Sequence, residues 1–192
     1  MKNPNYQKII SKLLLIIFIL SFFFWIFITT QSTKKSQIIK PNNPARTSSQ
    51  TQIIFGNATI IDGDTIIINR KRIRLIGIDT PETKQKCLDK DNYEYLCGEM
   101  ATIFLKKLIK NQKVECFSEK KDIYKRYLGI CKFDNININH EMVRSGMAVV
   151  YNLKEASVEL KNLEKTARSD KLGIWQGSFE EPKKYRKRQR RR

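Results

Sequence analysis

The stretch Asp62–Thr83, DGDTIIINRKRIRLIGIDTPET, decides how this chain is read. Its isoleucines mark β structure. Among them stand three aspartates (Asp62, Asp64, Asp79), a glutamate (Glu82) and closely spaced arginines including Arg72 and Arg74. Charge within an apolar segment costs free energy unless it is paired, hydrated or bound to a metal. These groups are therefore expected to be used. NATIIDGDTIIIN and RIRLIGID read as two strands joined by a tight turn at Asn69–Lys71. Arg74 and Asp79 are five residues apart, so a regular strand points them to opposite faces. They can share a site only if the chain bends between them, and Gly77 is the expected place.

Working outward, Cys97 to Lys110 reads as a helix with Met100, Ala101, Phe104, Leu105 and Leu108 on one face. KVECFSE and RYLGICKF read as a hairpin around Lys121–Lys125. Asn139 to Ser145 reads as a short helix ending near Gly146. Residues 155–168 carry Ala156, Leu160, Leu163 and Ala167 at helical spacing. Strands first, with helices inserted and following, give an α+β domain or a small barrel with helices.

The chain has 192 residues and a net charge of +18. Seven of its 37 Lys/Arg lie in residues 1–50 and eight in residues 183–192, with no acid in either segment; 22 basic and 19 acidic residues remain between them. The body is nearly balanced, and the excess charge sits at the ends. Leu13 to Ile28, LLLIIFILSFFFWIFI, holds no charge, and with Ile9 and Ile10 extending it past Ser11 and Lys12 it reaches the length of about twenty residues that matches a bilayer core. No small-residue cleavage site follows it. The expected organisation is a transmembrane anchor over 1–30, a flexible tether over 31–50, a folded domain over 51–182 and a basic, disordered tail over 183–192.

The four cysteines allow three pairings. A hairpin turn centred between Ile123 and Tyr124 sets Cys116 opposite Cys131, leaving Cys87 and Cys97 to close a short loop; four free thiols are the alternative. Disulfides place a domain outside the cytoplasm. With lysines on both flanks of the apolar run, they are what orients the anchor. A zinc site is not expected, because there is no CxxC and His140 is the only histidine.

Asp64 and Asp79, followed by the Thr80–Pro81 step, offer hard oxygen ligands for a divalent cation, bound weakly at about 10⁻⁴–10⁻³ M. Arg74 and Arg126 suit a phosphate, which a guanidinium grips bidentately. Glu82 can take a proton from water. Surface ion pairing is the bland explanation of the same residues.

DGDT at 62–65, RLIGIDTPE at 74–82 and DIYKRYL at 122–128 resemble three signatures of the staphylococcal nuclease (thermonuclease-like) family. NHEMVRSGMA at 139–148 and LGIW at 172–175 resemble its later segments, in the same order. The resemblance covers about 52–176. It implies a five-stranded OB-type β-barrel with about three helices, preceded here by the N-terminal helix. It also implies a Ca2+-dependent phosphodiesterase that cleaves DNA or RNA on the 5′-oxygen side of phosphate. Asp64, Asp79 and the Thr80 carbonyl correspond to calcium ligands. Arg74 and Arg126 correspond to phosphate clamps, Glu82 to the general base and Tyr124 to a residue beside the bound nucleotide. Lys125 stands where the third signature usually has glycine, and Ile123 where a basic residue is common.

The expectation is a membrane-tethered, monomeric nuclease on the extracytoplasmic side, its tail bound to nucleic acid or anionic lipid. The alternative is a tethered OB-fold module that binds nucleic acid without turning it over.

Overall fold

The computed structural model describes residues 51–191 together with Phe22 and Phe24. Apart from those two residues, the apolar run Leu13–Ile28 and the tether lie outside the described part. Among the described residues no helix is long and apolar enough to cross a membrane.

β1 (Gln52–Asp62) pairs antiparallel with β2 (Thr65–Ile68), and β2 with β3 (Lys71–Leu75). The sequence reading took NATIIDGDTIIIN as one strand. The chain instead folds back at Asp62–Thr65, an Asp-Gly step between alternating apolar residues being a strong hairpin signal. The Asp62 carboxylate accepts the Asp64 N–H at 3.1 Å, which fixes the tip. The β2–β3 turn uses Asn69 and Arg70, both at positive φ (48° and 63°), as a two-residue hairpin requires.

On the other side β1 pairs with β7 (Lys113–Lys121), and β7 with β8 (Tyr127–Phe133), setting Cys116 opposite Cys131. β8 then runs parallel to β3, with Leu75 beside Gly129, and closes a five-stranded barrel. Gly129 permits this approach, since a Cβ there would lie 2.8 Å from the Ile73 Cγ2 methyl. The interior is filled by Ile54, Ile66, Ile68, Ile73, Leu75 and Val114. Disulfides join Cys116 to Cys131 and Cys87 to Cys97. The second ties β5 (Lys86–Leu88) and β6 (Glu94–Leu96), a small hairpin, to the start of the first helix.

That helix, α1 (Cys97–Ile109), buries Ala101, Leu105 and Ile109. Met100, expected on the inner face, is 46 % exposed, because the contact stripe centres one step further round the helix. β9 (Ile136–Asn137) leads into α2 (Ile138–Arg144), where the Asn137 side chain caps the first turn by accepting the His140 N–H. α3 (Val158–Ser169) starts later than residue 155 because Ser157 caps it. A 3₁₀ turn (Gly173–Gln176) follows. The final basic segment, expected as a disordered tail, is helical in α4 (Pro182–Gln189), with Pro182 in its first turn. The described residues thus carry four α-helices rather than about three.

The bend at Gly77 is what the site requires. Gly77 has φ 83°. β3 stops at Leu75, and β4 (Ile78–Asp79) leaves the barrel to pair with β10 (Val149–Val150). Buried Asn139 donates to the Ile76 carbonyl at 2.9 Å and the Gly129 carbonyl at 3.1 Å, while accepting the Cys131 N–H at 3.0 Å. Ile76 N–H donates to the Gly129 carbonyl, and Tyr151 N–H to that of Gly77, both at 3.0 Å. Buried Glu164 of α3 accepts the Val150 N–H at 2.9 Å, which extends the support of β4 through β10.

The β7–β8 loop keeps a glycine-like conformation without glycine. The ladder shifts by one residue between Ser118 and Lys120, and Lys125 adopts φ 62°. A side chain in this left-handed region costs on the order of 1 kcal/mol. Lys125→Gly is therefore expected to stabilise the protein by up to about 1 kcal/mol, an upward shift in unfolding free energy that urea titration would measure.

Candidate active site

A cleft of about 810 Å³ opens where the β1–β2 tip, the Gly77 bend, the β7–β8 loop and α4 meet. Asp64 lines its floor and Asp79 lies beside it, joined through Arg74; both are buried. Two neighbouring carboxylates out of water repel each other unless cationic charge lies between them. Arg74 provides it. Its Nη1 donates to Asp64 Oδ1 at 2.6 Å and its Nη2 to Asp79 Oδ1 at 2.8 Å. Thr65 Oγ1 adds a bond to Asp64 Oδ1 at 3.0 Å, and the Thr80 N–H approaches Asp64 Oδ2 at 3.4 Å. Burial nevertheless pushes the Asp64 carboxyl up to about 7; Arg74 pulls it down, while Asp62 and Asp79 add to the rise.

Glu82 lies three residues beyond Asp79, after the Thr80–Pro81 step, with its side chain 42 % exposed. Its backbone is fixed from two directions. Buried Gln85 accepts the Glu82 N–H at 3.2 Å and returns its own N–H to the Glu82 carbonyl at 2.7 Å. The start of α1 packs so closely that a Cβ on Gly98 would overlap the Glu82 carbonyl. The Glu82 carboxylate can therefore turn toward the cleft while its main chain stays put.

Arg126 enters from the β7–β8 loop, organised by Asp122. The Asp122 carboxylate accepts Arg126 Nε at 2.7 Å, the Arg126 N–H at 2.9 Å and the Tyr124 N–H at 2.9 Å. Burial alone would raise the Asp122 carboxyl, but the hydrogen bonds and charge of Arg126, with the Tyr124 N–H, hold it below the ordinary carboxylate value. Exposed Tyr124 lies against Arg126, its ring centroid 5.5 Å from the guanidinium carbon. Arg74, Arg126, Glu82, Tyr124, Asp64 and Thr80 all line the cleft, and Asp79 reaches it through Arg74. His140 lies elsewhere, its Nδ1 3.1 Å from Glu159.

Three participants escaped the sequence reading. Asp122 had a signal, standing four residues before Arg126 in the third signature. Gln85 had none; it also donates from Nε2 to the Glu180 carbonyl at 2.6 Å, tying the Glu82 loop to the segment before α4. Arg186 of α4 had none either. Its Nη2 donates to Asp79 Oδ2 at 2.7 Å, and its Nη1 to Asp79 Oδ1 at 3.0 Å and Glu82 Oε1 at 2.8 Å.

The donor set fits a hard divalent cation bound with few protein ligands. The carboxylates of Asp64 and Asp79 are all oxygen, and the Arg186 guanidinium already lies against both oxygens of Asp79 as an organic cation. Among the described residues no group of three or more His, Cys, Asp or Glu side chains converges as a metal cage, so water or substrate oxygens would complete the shell.

Residues 72–177 match the family model described as staphylococcal nuclease homologue. The chain is 33 % identical over 144 residues to a micrococcal nuclease of Shigella flexneri, covering 67 % of this chain and 77 % of that protein. It is 34 % identical over 126 residues to the thermonuclease of Staphylococcus intermedius, covering 61 % and 73 %. It is also 34 % identical over 129 residues to the succinoglycan biosynthesis protein ExoI of Rhizobium meliloti, covering 66 % and 67 %. The family match spans more than half of the chain and includes β3, the Gly77 bend, Glu82 and the Arg126 loop, so this chain belongs to the staphylococcal nuclease family.

Proposed function

We propose that the protein is a calcium-dependent nuclease that hydrolyses phosphodiester bonds of DNA, RNA or both. The observation that carries this reading is one cleft lined by buried Asp64, by Arg74 of β3, by Arg126 of the β7–β8 loop and by partly exposed Glu82, with buried Asp79 joined to it through Arg74. Glu82 accepts a proton from a water whose oxygen attacks the phosphorus opposite the 5′-oxygen; the P–O5′ bond breaks and the departing oxygen takes a proton from solvent water. Arg74 and Arg126 neutralise charge on the phosphoryl oxygens, which lowers the barrier most in a cleft walled from bulk water. Calcium, held by Asp64, Asp79 and the Thr80 carbonyl, would supply further charge neutralisation. Asp122 fixes Arg126 in register, and Tyr124 offers an exposed ring for a base.

The proposed setting is membrane-anchored, with the nuclease domain on the extracytoplasmic side. The uncharged run Leu13–Ile28 supports the anchor, and the two disulfides support an oxidising compartment. Millimolar calcium outside the cell suits a two-carboxylate site.

The full-length chain in neutral detergent is expected to cleave single-stranded DNA, duplex DNA or RNA with calcium and not with chelator. Glu82→Gln should reduce turnover by about 10²–10⁴ while retaining substrate binding. Arg126→Ala should reduce it by about 10²–10³. Calcium-independent binding without cleavage, unchanged in both variants, would instead identify a binding module.

Asp122 sets an acid limb to stability. Its folded value is depressed, so its contribution is fully present above the ordinary carboxylate value of 3.8 and disappears as pH falls through the lower folded one. Asp122→Asn should lower stability at neutral pH, with the gap to the parent closing as pH falls below about 3.8. Denaturant titrations at several pH values would show whether it closes.

A further inference from the structure

Arg186 sits on the two groups that the proposed reaction needs open. Its guanidinium takes both oxygens of Asp79 and one oxygen of Glu82. A divalent cation at Asp79 requires those same oxygens, and a water surrendering its proton requires the Glu82 carboxylate. Burial opposes charge on Arg186, yet its hydrogen bonds to Asp79 and Glu82 raise its pKa above the ordinary value, so it remains a cation.

The way α4 is held makes this contact reversible. The chain before the helix is tied firmly to the body: Leu88 and Ser178 exchange backbone hydrogen bonds at 2.8 and 3.2 Å, and Gln85 holds the Glu180 carbonyl. Beyond buried Pro182 the hold changes character. Lys184 pairs with Glu181 and Arg188 with Glu180, both on the helix's own segment. Among the described residues, the ion pairs recorded from the helix to the barrel body are those of Arg186. No side chain of α4 after Pro182 is buried. An attachment made by charge rather than apolar area weakens with salt and yields to competing charge.

We propose that α4 is an autoinhibitory strap, with Arg186 acting as an internal cation that competes with calcium for Asp79 and occupies Glu82. A phosphodiester chain favours release, because its oxygens offer the guanidinium an alternative bidentate partner. This inference rests on the reading of Asp79 as a cation ligand and Glu82 as the base.

The test uses the full-length chain in neutral detergent, with Arg186→Gln and Arg186→Lys variants, and calcium as the probe. Calcium affinity is read from the rise in thermal midpoint with calcium concentration, which needs no substrate. If the strap is docked about nine-tenths of the time, Arg186→Gln should bind calcium about tenfold more tightly. Arg186→Lys, which keeps the charge but loses the fork, should fall between. Raising the sodium chloride concentration should narrow the gap, and cleavage by Arg186→Gln should half-saturate at correspondingly lower calcium. Unchanged or weaker calcium affinity in folded Arg186→Gln overturns the strap. So does a loss of cleavage at saturating calcium, which would place Arg186 among the substrate-binding groups. Tighter calcium binding with no cleavage by any form would sink the nuclease reading and leave the competition standing. Equal affinities with calcium-dependent cleavage would do the reverse.

Discussion

The Arg74 guanidinium lying between Asp64 and Asp79 is the contact on which the site depends. Each carboxylate is buried, and burying a charge costs several kcal/mol unless a partner compensates. Arg74 meets both at 2.6 and 2.8 Å, so a single side chain lets two elements converge: the β1–β2 tip and the strand beyond Gly77. Without Arg74, buried Asp64 would keep, among the described residues, only the Thr65 hydroxyl and the Thr80 N–H, and Asp79 only Arg186. The acids tolerate each other only with cationic charge present, which is also why the pair is suited to a metal ion.

That convergence is prepared by the barrel. β3 closes against β8 in parallel, and Gly129 lets Ile73 approach. Immediately afterwards the chain must leave the barrel, because continuing in register would carry Asp79 to the wrong side. The exposed backbone of the bend is satisfied locally, with the Ile76 carbonyl bonded to Asn139 and the Gly77 carbonyl to Tyr151. An unsatisfied buried carbonyl would cost about 1–3 kcal/mol, so Asn139 does more than fill space. It binds the bend, β8 and α2 into one unit. Glu164 does the same for β10, on which β4 depends.

Much of this was legible in the sequence, for reasons that differ by element. The Gly77 bend followed from parity: Arg74 and Asp79 cannot share a face of a regular strand. The Cys116–Cys131 pairing was anticipated from a turn centred between Ile123 and Tyr124; the turn is centred on Tyr124 instead, and the bulge at Glu119 shifts the ladder back by one residue so that the cysteines still face each other. The split at Asp62–Thr65 was present as an Asp-Gly step but was masked by isoleucines on both sides, which read as one strand. The inner face of α1 was set one step wrong because periodicity fixes a stripe but not its centre. α4 was illegible for a deeper reason. Eight Lys/Arg in ten residues look like a solvated tail, and only the carboxylates of Asp79 and Glu82, distant in sequence, give such a helix somewhere to lie. The Asp122 loop shows a third case. Lys125 replaces the expected glycine, yet the loop keeps its left-handed turn, because five hydrogen bonds between Asp122 and residues 124–126 outweigh a local cost of about 1 kcal/mol.

The electrostatics of the cleft bear on its specificity. Arg74 pairs with Asp64 and Asp79, Arg186 with Asp79 and Glu82, and Arg126 with Asp122. Such a site does not attract a monovalent anion strongly, since its positive charge is largely paired internally. A polyanion differs. It can exchange partners with several arginines at once, and each guanidinium it draws away leaves an acid in need of a cation. On the proposed reading, phosphate and divalent metal would therefore favour each other in this cleft through the ion pairs they jointly break. On that reading, a cleft built in this way would be held shut by its own charges and opened by a phosphodiester and a metal ion together.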